Sequence, residues 1–413
     1  AASGKTDDAE VQKLAARAVK LAQAASLITG PKVQLAPVPV VTGSFHTEVG
    51  TDPFEVPLVE KLDLLQKTTA APVNDDIKLT QAELRFFKET TEFASTEGSY
   101  YTQEIVQSGA GVTTKAVKSG LVGSRSYPAG LGGNQHAAGY EFIEKLDLPG
   151  QQREIRKEAV QLLEAPACPN QVTDVIIDSS QMALQIHESC GHPLELDRIN
   201  GSEISLAGGS FVKTTDRGNL VYAAPNVNIV ADATVKGGLG TFGVDDEGVP
   251  AQRVFLVRNG LLTNFLTSRE TAGVLNSSSN GAMRADGWRN LPVIRMTNIN
   301  LEPGDWSIDE MIREIQNGIL MKTNSSWSID DLRLNFQFAT EIGYRVKNGS
   351  IVGIVKQPIY AGRTPEFWCS CDAVGADWQL WGIDNCGKGD PLQIMRVSHG
   401  TPSARFRNVK VGS

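Results

Sequence analysis

Ile186-His187-Glu188-Ser189-Cys190-Gly191-His192-Pro193 gathers two of the chain's five histidines, one of its five cysteines and a carboxylate into eight residues. Imidazole, thiolate and carboxylate are the groups that bind a transition metal or move protons. No other stretch of the 413 residues concentrates them so tightly. In the familiar zinc helix, H-E-x-x-H, the histidines stand four apart on one face. Here they stand five apart. At about 100° per residue they lie about 140° apart around a regular helix, so an unbroken helix cannot aim both at one ion. Gly191 tolerates unusual backbone, and Pro193 disfavours the helical region for the residue before it. The spacing predicts a helix that breaks at Gly191 and swings His192 back toward His187.

A catalytic zinc takes three protein ligands and keeps a position for water. The third donor has two candidates. Cys190 lies three residues after His187. Cys386, in Asn385-Cys386-Gly387-Lys388-Gly389, is remote, but a glycine-rich bend there can approach a metal, with Lys388 beside the thiolate. Glu188 suits a general base that takes a proton from a zinc-bound water. If both cysteines bind, four ligands close the site. The zinc is then structural, and the chain is a non-catalytic peptide-binding or assembly subunit. His399, in Ser398-His399-Gly400, is a candidate oxyanion donor or substrate contact, weighed against a plain surface-loop histidine.

Other motifs carry less. Gly382-x-x-x-x-Gly387-Lys388-Gly389 approaches a phosphate-binding loop, but Gly389 stands where Ser or Thr would hold magnesium and Asp390-Pro391 follows instead of a helix. Gly238-x-Gly240-x-x-Gly243 leads into Asp245-Asp246-Glu247, whose charge would repel a pyrophosphate, so it reads as a flexible loop near the cleft. The acidic run itself reads as a solvated turn. Cys369-x-Cys371 lacks a histidine pair beside it. His46 and His136 fall in loops. Trp368, Trp378 and Trp381 flank the Cys386 bend as core or cleft walls.

These residues need elements to hold them. Val172 to Ile177 reads as a buried strand, and Asp178-Ser179-Ser180 supplies caps for a helix from Gln181 to Cys190. Beyond it the pattern is mostly β: strands at Leu220 to Ala223 and Val227 to Ala231, then hairpins turning on Asn259-Gly260 and Asn348-Gly349. The capping box Ser307-x-x-Glu310 opens a helix that ends by Gly318. Upstream, Asp8 to Ser26 is an amphipathic helix, and Pro31 to Pro53 is extended. Val56 to Lys67 is helical, and Leu79 to Gly123 is an antiparallel meander. Ser124 to Gly139 is a glycine-rich loop. Short Tyr140 to Leu146 and longer Gln151 to Glu164 are helices. The expected fold is α+β in two domains: an α/β N-terminal domain, 1–168, and a mainly antiparallel β C-terminal domain, 169–413, that carries the metal-binding helix.

Composition narrows the function. Hydrophobic content of 41% and charged content of 21% suit a globular protein. A net charge of −8 without a Lys/Arg cluster argues against nucleic acid as partner. Apolar runs are too short for a membrane span, and the N-terminus has no secretory signal. Five cysteines are an odd count that suits reduced thiols and a cytoplasmic setting.

His187-Glu188-x-x-x-His192 together with Cys386-Gly387-Lys388-Gly389 resembles the TldD/PmbA family of zinc metalloproteases. Asp245-Asp246-Glu247-Gly248-Val249-Pro250, Asn259-Gly260-Leu261-Leu262, Thr267-Ser268-Arg269-Glu270-Thr271-Ala272 and the earlier Ser95-Thr96-Glu97-Gly98 extend the resemblance over most of the chain. It implies Zn2+ held by His187, His192 and Cys386, with Glu188 as base. It implies cleavage of unfolded or short peptides bound in extended form. It also implies a dimer, either of like chains or with a PmbA/TldE-like subunit that has lost the motif; this chain keeps the motif and so resembles the catalytic, TldD-like side. Set against that resemblance, the chain is expected to start inside the family's N-terminal domain, without its first strands.

Overall fold

The computed structural model describes residues 1–28, 32–70, 75–130, 132–206 and 208–412. Pro31 and Leu131, inside two of the expected loop segments, lie outside the described residues. The chain is mixed α/β, with more strand than helix.

A five-stranded sheet dominates the first part. The expected meander is one long hairpin, Ile77–Ala94 against Tyr100–Lys118, turning at Ser95 to Ser99. Leu121–Tyr127 adds an antiparallel strand and Thr42–His46 a parallel one. Asn134–His136 pairs as well, so strands occupy both ends of the expected glycine-rich loop. Helices Leu58–Thr69, Glu141–Leu146 and Leu148–Glu164 accompany this sheet. The last buries Ile155, Ala159, Leu162 and Leu163 at helical spacing. A Cβ at Gly123 would lie 2.0 Å from the Ala159 carbonyl oxygen, so the helix rests directly on the strand.

The N-terminal helix, Asp8–Ala25, is capped by Asp7, whose carboxylate accepts from the Glu10 amide at 3.0 Å. None of its residues is buried: of the expected apolar stripe (Val11, Leu14, Ala15, Val19, Leu21) only Leu14 is half-buried, and the rest are exposed.

Beyond residue 170 a seven-stranded sheet forms. Gln171–Ile177 runs beside Asn317–Ile329 and Ala404–Gly412, and the path continues through Ile359–Arg363 to Asn335–Lys347. Asn335–Lys347 pairs back to Asn317–Ile329, which closes the path into a ring. One contact in that ring, Gln171–Ile177 with Asn317–Ile329, is parallel. A four-stranded sheet and a separate two-stranded one, Gln379–Lys388 against Gln393–Thr401, complete the β structure around the site.

Both expected turns form, with Asn259 and Gly260 at φ 50° and 77° and Asn348 and Gly349 at 46° and 75°. Positive φ at both centres is what a twisted two-residue hairpin requires. The Ser307–Glu310 box forms too, but its helix spans only Ile308–Arg313, and Gly318 already lies in a strand. Leu220 to Ala223 is not a strand; only Val221 bridges, to Leu261. No helix among the described residues is long and apolar enough to cross a membrane.

Candidate metal centre

The helix that carries the motif is buried along its whole length. Its start follows the expected logic: the Asp178 carboxylate caps it by accepting from the Gln181 amide at 3.1 Å. Regular α-helix covers Ser179–Ile186. From His187 to Gly191 the coil widens to a π-turn, and the His192 amide donates to the His187 carbonyl five residues back. The expected break at Gly191 does not occur. The helix widens instead, and His192 keeps helical angles (φ −58°, ψ −42°) despite the proline after it. A wider turn brings residues five apart onto one face, which resolves the spacing without a break. Two contacts stabilise the bulge: Tyr222 donates its hydroxyl to the Ser189 carbonyl, and the Trp368 indole N–H donates to Ser189 Oγ at 2.8 Å. Gly191 serves packing: a Cβ there would meet Met296 Sδ at 2.0 Å.

His187, His192 and Cys386 each present a donor atom, and the three lie within 4.8 Å of one another. All three residues are buried. Cys386 Sγ stands 3.6 Å from His192 Nε2. A tetrahedral zinc with ordinary bond lengths sets its donors roughly 3.3–3.6 Å apart. The donor set therefore fits zinc after a small contraction. Cys386 lies not in a flexible bend but in the strand Gln379–Lys388, at a register shift against Gln393–Thr401. Such a bulge re-aims a side chain, here toward the helix. Cys190 is not in the cluster; its thiol lies 3.7 Å from Ser189 Oγ, and burial pushes its pKa up.

Each imidazole has a partner behind it. The Ile299 carbonyl can only accept, so His399 Nδ1 donates to it at 2.9 Å. Burial holds His399 neutral, its pKa well below the usual value. Its Nε2 therefore accepts, and His187 Nδ1 donates to it at 2.8 Å. That fixes the His187 tautomer and leaves Nε2 with a free lone pair. Burial also lowers the His187 pKa to about 4, which keeps that ring neutral. On the other side His192 Nδ1 donates to Glu195 Oε2 at 3.1 Å, leaving its Nε2 toward Cys386. The same Glu195 oxygen receives Arg198 Nε at 2.7 Å and stands 3.2 Å from Lys388 Nζ, and Lys388 also donates to Asp197 Oδ1 at 2.7 Å. Burial opposes the Glu195 charge, but Lys388, His192 and Arg198 outweigh it and hold its pKa well below the usual range. Burial likewise raises the Cys386 thiol, yet His192 and Arg295 overcome it and the net pKa falls. Burial lowers the His192 pKa as it does that of His187, and two imidazoles whose charge is disfavoured beside a thiol of lowered pKa suit metal binding, which takes neutral imidazole and thiolate.

Glu188 is buried beside the donors. Arg333 Nη1 donates to its Oε2 at 2.6 Å, while Oε1 has no hydrogen bond among the described residues. Above this floor opens a cleft of about 490 Å³, with His187, Glu188, His192 and Cys386 at its base and Trp327 and Ile394 in its walls.

Two family patterns match the chain: the PmbA/TldA metallopeptidase central domain over residues 51–165 and the PmbA/TldA metallopeptidase C-terminal domain over residues 170–413. The chain belongs to the PmbA/TldD family of zinc metalloproteases. A metalloprotease from Methanothermobacter thermautotrophicus is 32% identical over 360 residues, covering 87% of this chain and 75% of that protein. A zinc metalloprotease TldD homolog from Saccharolobus solfataricus is 28% identical over 249 residues, 58% of this chain and 51% of that one. The crystal structure of TldE from Thermococcus kodakarensis has the same fold, with a TM-score of 0.70 at 17% identity, covering 99% of this chain and 86% of that one.

Within this PmbA/TldD chain several expectations need correction. His399 is no surface-loop histidine: it is fully buried in the strand Gln393–Thr401. Both its ring nitrogens are engaged, so neither is presented to a substrate or an oxyanion. Lys388 pairs with Asp197 and Glu195 rather than with the thiolate. Asp245 is buried, not solvated, and accepts from the Val249, Glu247 and Met283 amides. Gly238 to Gly243 is a packed segment: the Gly240 amide donates to Asn298 Oδ1 at 2.9 Å and the Leu239 amide to Ser398 Oγ at 2.9 Å. Cys369 ends a helix and is exposed, whereas Cys371 begins a strand and is buried. Sequence reasoning missed Glu195, Arg198 and Arg333. The first two carried a signal, since charges interleaved with Pro193, Leu194 and Leu196 mark a buried ion cluster. Arg333 carried none; only the fold brings it to Glu188.

Proposed function

We propose that this chain is a zinc-dependent peptidase that hydrolyses short or unfolded peptides held in extended form. The observation that carries this reading is the meeting, at the floor of an open cleft, of three buried donors and a carboxylate with one free oxygen. Zinc held by His187, His192 and Cys386 would polarise the scissile carbonyl and acidify a water. Glu188 is the general base: Arg333 fixes Oε2, and Oε1 takes the proton of the attacking water and passes it to the leaving amine. His399 and Glu195 act behind the imidazoles, holding their tautomers and orientation.

Extended binding is supported by the rims of the cleft. Among the described residues Ser326 to Ile329 pairs only with Asn335–Lys347, so its other edge has no strand partner beside the cleft. An open strand edge accepts peptide through main-chain hydrogen bonds and reads side chains little. We propose a dimer, with a like chain or a PmbA/TldE-like subunit, on the ground of membership in the PmbA/TldD family. Five free cysteines suit a cytoplasmic setting. The structural-zinc alternative needs a fourth donor, and Cys190 stands outside the cluster.

The test is Glu188→Gln. Cleavage of an unfolded peptide by the zinc-loaded variant is expected to fall about 10²–10⁴-fold with zinc still bound. Full activity in that variant removes Glu188 from the mechanism.

A further inference from the structure

A second, smaller cavity opens off the metal cleft. Its volume is about 50 Å³, and it shares Leu184, Ile383 and Asn385 with the cleft wall. Small residues line much of it, among them Ala129, Gly130, Ala183 and Gly382. Two side chains in this lining are anomalous. Asn324 is 7% exposed, and among the described residues neither its Oδ1 nor its Nδ2 has a partner. Trp381 is 8% exposed, and its Nε1 has none either. Buried polar groups are almost always satisfied, so two unmatched ones in a single cavity point to a ligand.

The backbone places Asn324 there by construction. Thr323 has φ +65°, rare for a β-branched residue, and its amide faces the helix-capping Asp178 Oδ1 at 3.4 Å. The strand pairing shifts register between Asn324 and Ser326. This kink holds the Asn324 amide in the cavity and ties its position to the start of the metal helix.

The three unmatched atoms define a chemistry: one acceptor, Oδ1, and two donors, Nδ2–H and Nε1–H. No free charge accompanies them, because Asp384 is paired with Arg85. A side-chain amide complements the backbone of one extended residue, which turns its own N–H and C=O to the same side. We propose that this cavity is a substrate subsite, remote from the scissile bond, that takes one extended residue with a small side chain, with Asn324 matching that residue's own N–H and C=O and Trp381 donating to the same carbonyl. The proposal rests on the peptidase reading above and adds to it a length requirement and a position at which large side chains are excluded.

The experiment compares the zinc-loaded wild type with Asn324→Leu and Trp381→Phe on peptides of increasing length. Zinc content and thermal melting are followed in each variant, and Trp381→Phe, which loses only the N–H and part of the ring, guards against misfolding. The KM for peptides long enough to reach the cavity is expected to rise about tenfold in each variant, the loss of roughly one hydrogen bond, with kcat nearly unchanged and short peptides unaffected. Replacing the residue at the subsite by Trp in the peptide is expected to abolish the wild type's preference for length. Unchanged KM on long peptides, or an equal change on short and long ones, overturns the subsite and leaves a cavity filled by water. If the wild type hydrolyses no peptide at all, the peptidase reading fails separately. The subsite is then read from the affinity of the same peptides by fluorescence anisotropy, where equal affinity in wild type and variants overturns it.

Discussion

The two histidines of the centre are supported in opposite ways. Behind His192 stands a charge cluster, Glu195 with Arg198, Lys388 and Asp197, nearly all of it buried. Behind His187 stands a neutral relay, His399 and the Ile299 carbonyl. The first binds the helix to the hairpin that carries Cys386, because Lys388 lies two residues beyond that cysteine and reaches back to Glu195 and Asp197. The second only selects a tautomer. The charged side thus assembles the site, and the neutral side tunes one ligand.

Breaking the charged side should have the largest effect. Lys388→Met leaves Glu195 and Asp197 buried with Arg198 as their remaining cation, and losing one partner of a buried ion group costs about 3–5 kcal/mol. Urea unfolding is expected to show that loss together with the loss of zinc. His399→Leu should behave differently: zinc affinity falls about 10–100-fold while most of the stability remains. His399→Gln should recover part of it, since an amide can donate to Ile299 and accept from His187. Equal destabilisation by Lys388→Met and His399→Leu would erase the distinction.

A third buried carboxylate sharpens the comparison. Asp245 is held by backbone amides alone, and burial raises its pKa to about 7, whereas cations hold Glu195 well down. The two should oppose each other in pH dependence. Glu195 contributes stability above its unfolded value, lost only as pH falls through its low folded value. Asp245 contributes stability that is complete below its unfolded value near 3.8 and is lost as pH rises through about 7. From pH 4 to 7 the advantage of wild type over Asp245→Asn in unfolding free energy, measured by urea titration, should therefore shrink, by at most about 1.4 kcal/mol per pH unit. An advantage that grows with pH over that range would contradict the assignment. The smallest effect belongs to Cys190→Ser, a near-isosteric change at a buried thiol outside the cluster, expected to leave zinc content unchanged.

Much of this was legible in the sequence where short-range physics decides. Asp178 as cap, the Ser307–Glu310 box and the two Asn-Gly turns form because each is settled within four residues. His187, Glu188 and His192 stood out by type and spacing. The cause of the spacing was not legible: Gly191 and Pro193 are as compatible with a break as with a π-turn, and the outcome depends on Tyr222, Trp368 and Met296 packing around the bulge. Burial misled elsewhere. Asp245 looked solvated and His399 looked exposed because each sits among small or polar neighbours, and only the closed sheet and the hairpin cover them. The meander expected from Leu79 to Gly123 is one long hairpin because Gly109 and Gly111 lie mid-strand in Tyr100–Lys118, where Gln135 and Gly133 pack closely.

A widened helix and a distant hairpin together bring the three donors of one candidate metal centre within reach of each other. Zinc stoichiometry measured on purified wild type, Cys386→Ala and Cys190→Ala tests it most directly. One zinc per chain is expected in wild type and in Cys190→Ala, and a marked loss in Cys386→Ala with the fold retained by circular dichroism. Full zinc in Cys386→Ala, or its loss in Cys190→Ala alone, would contradict it.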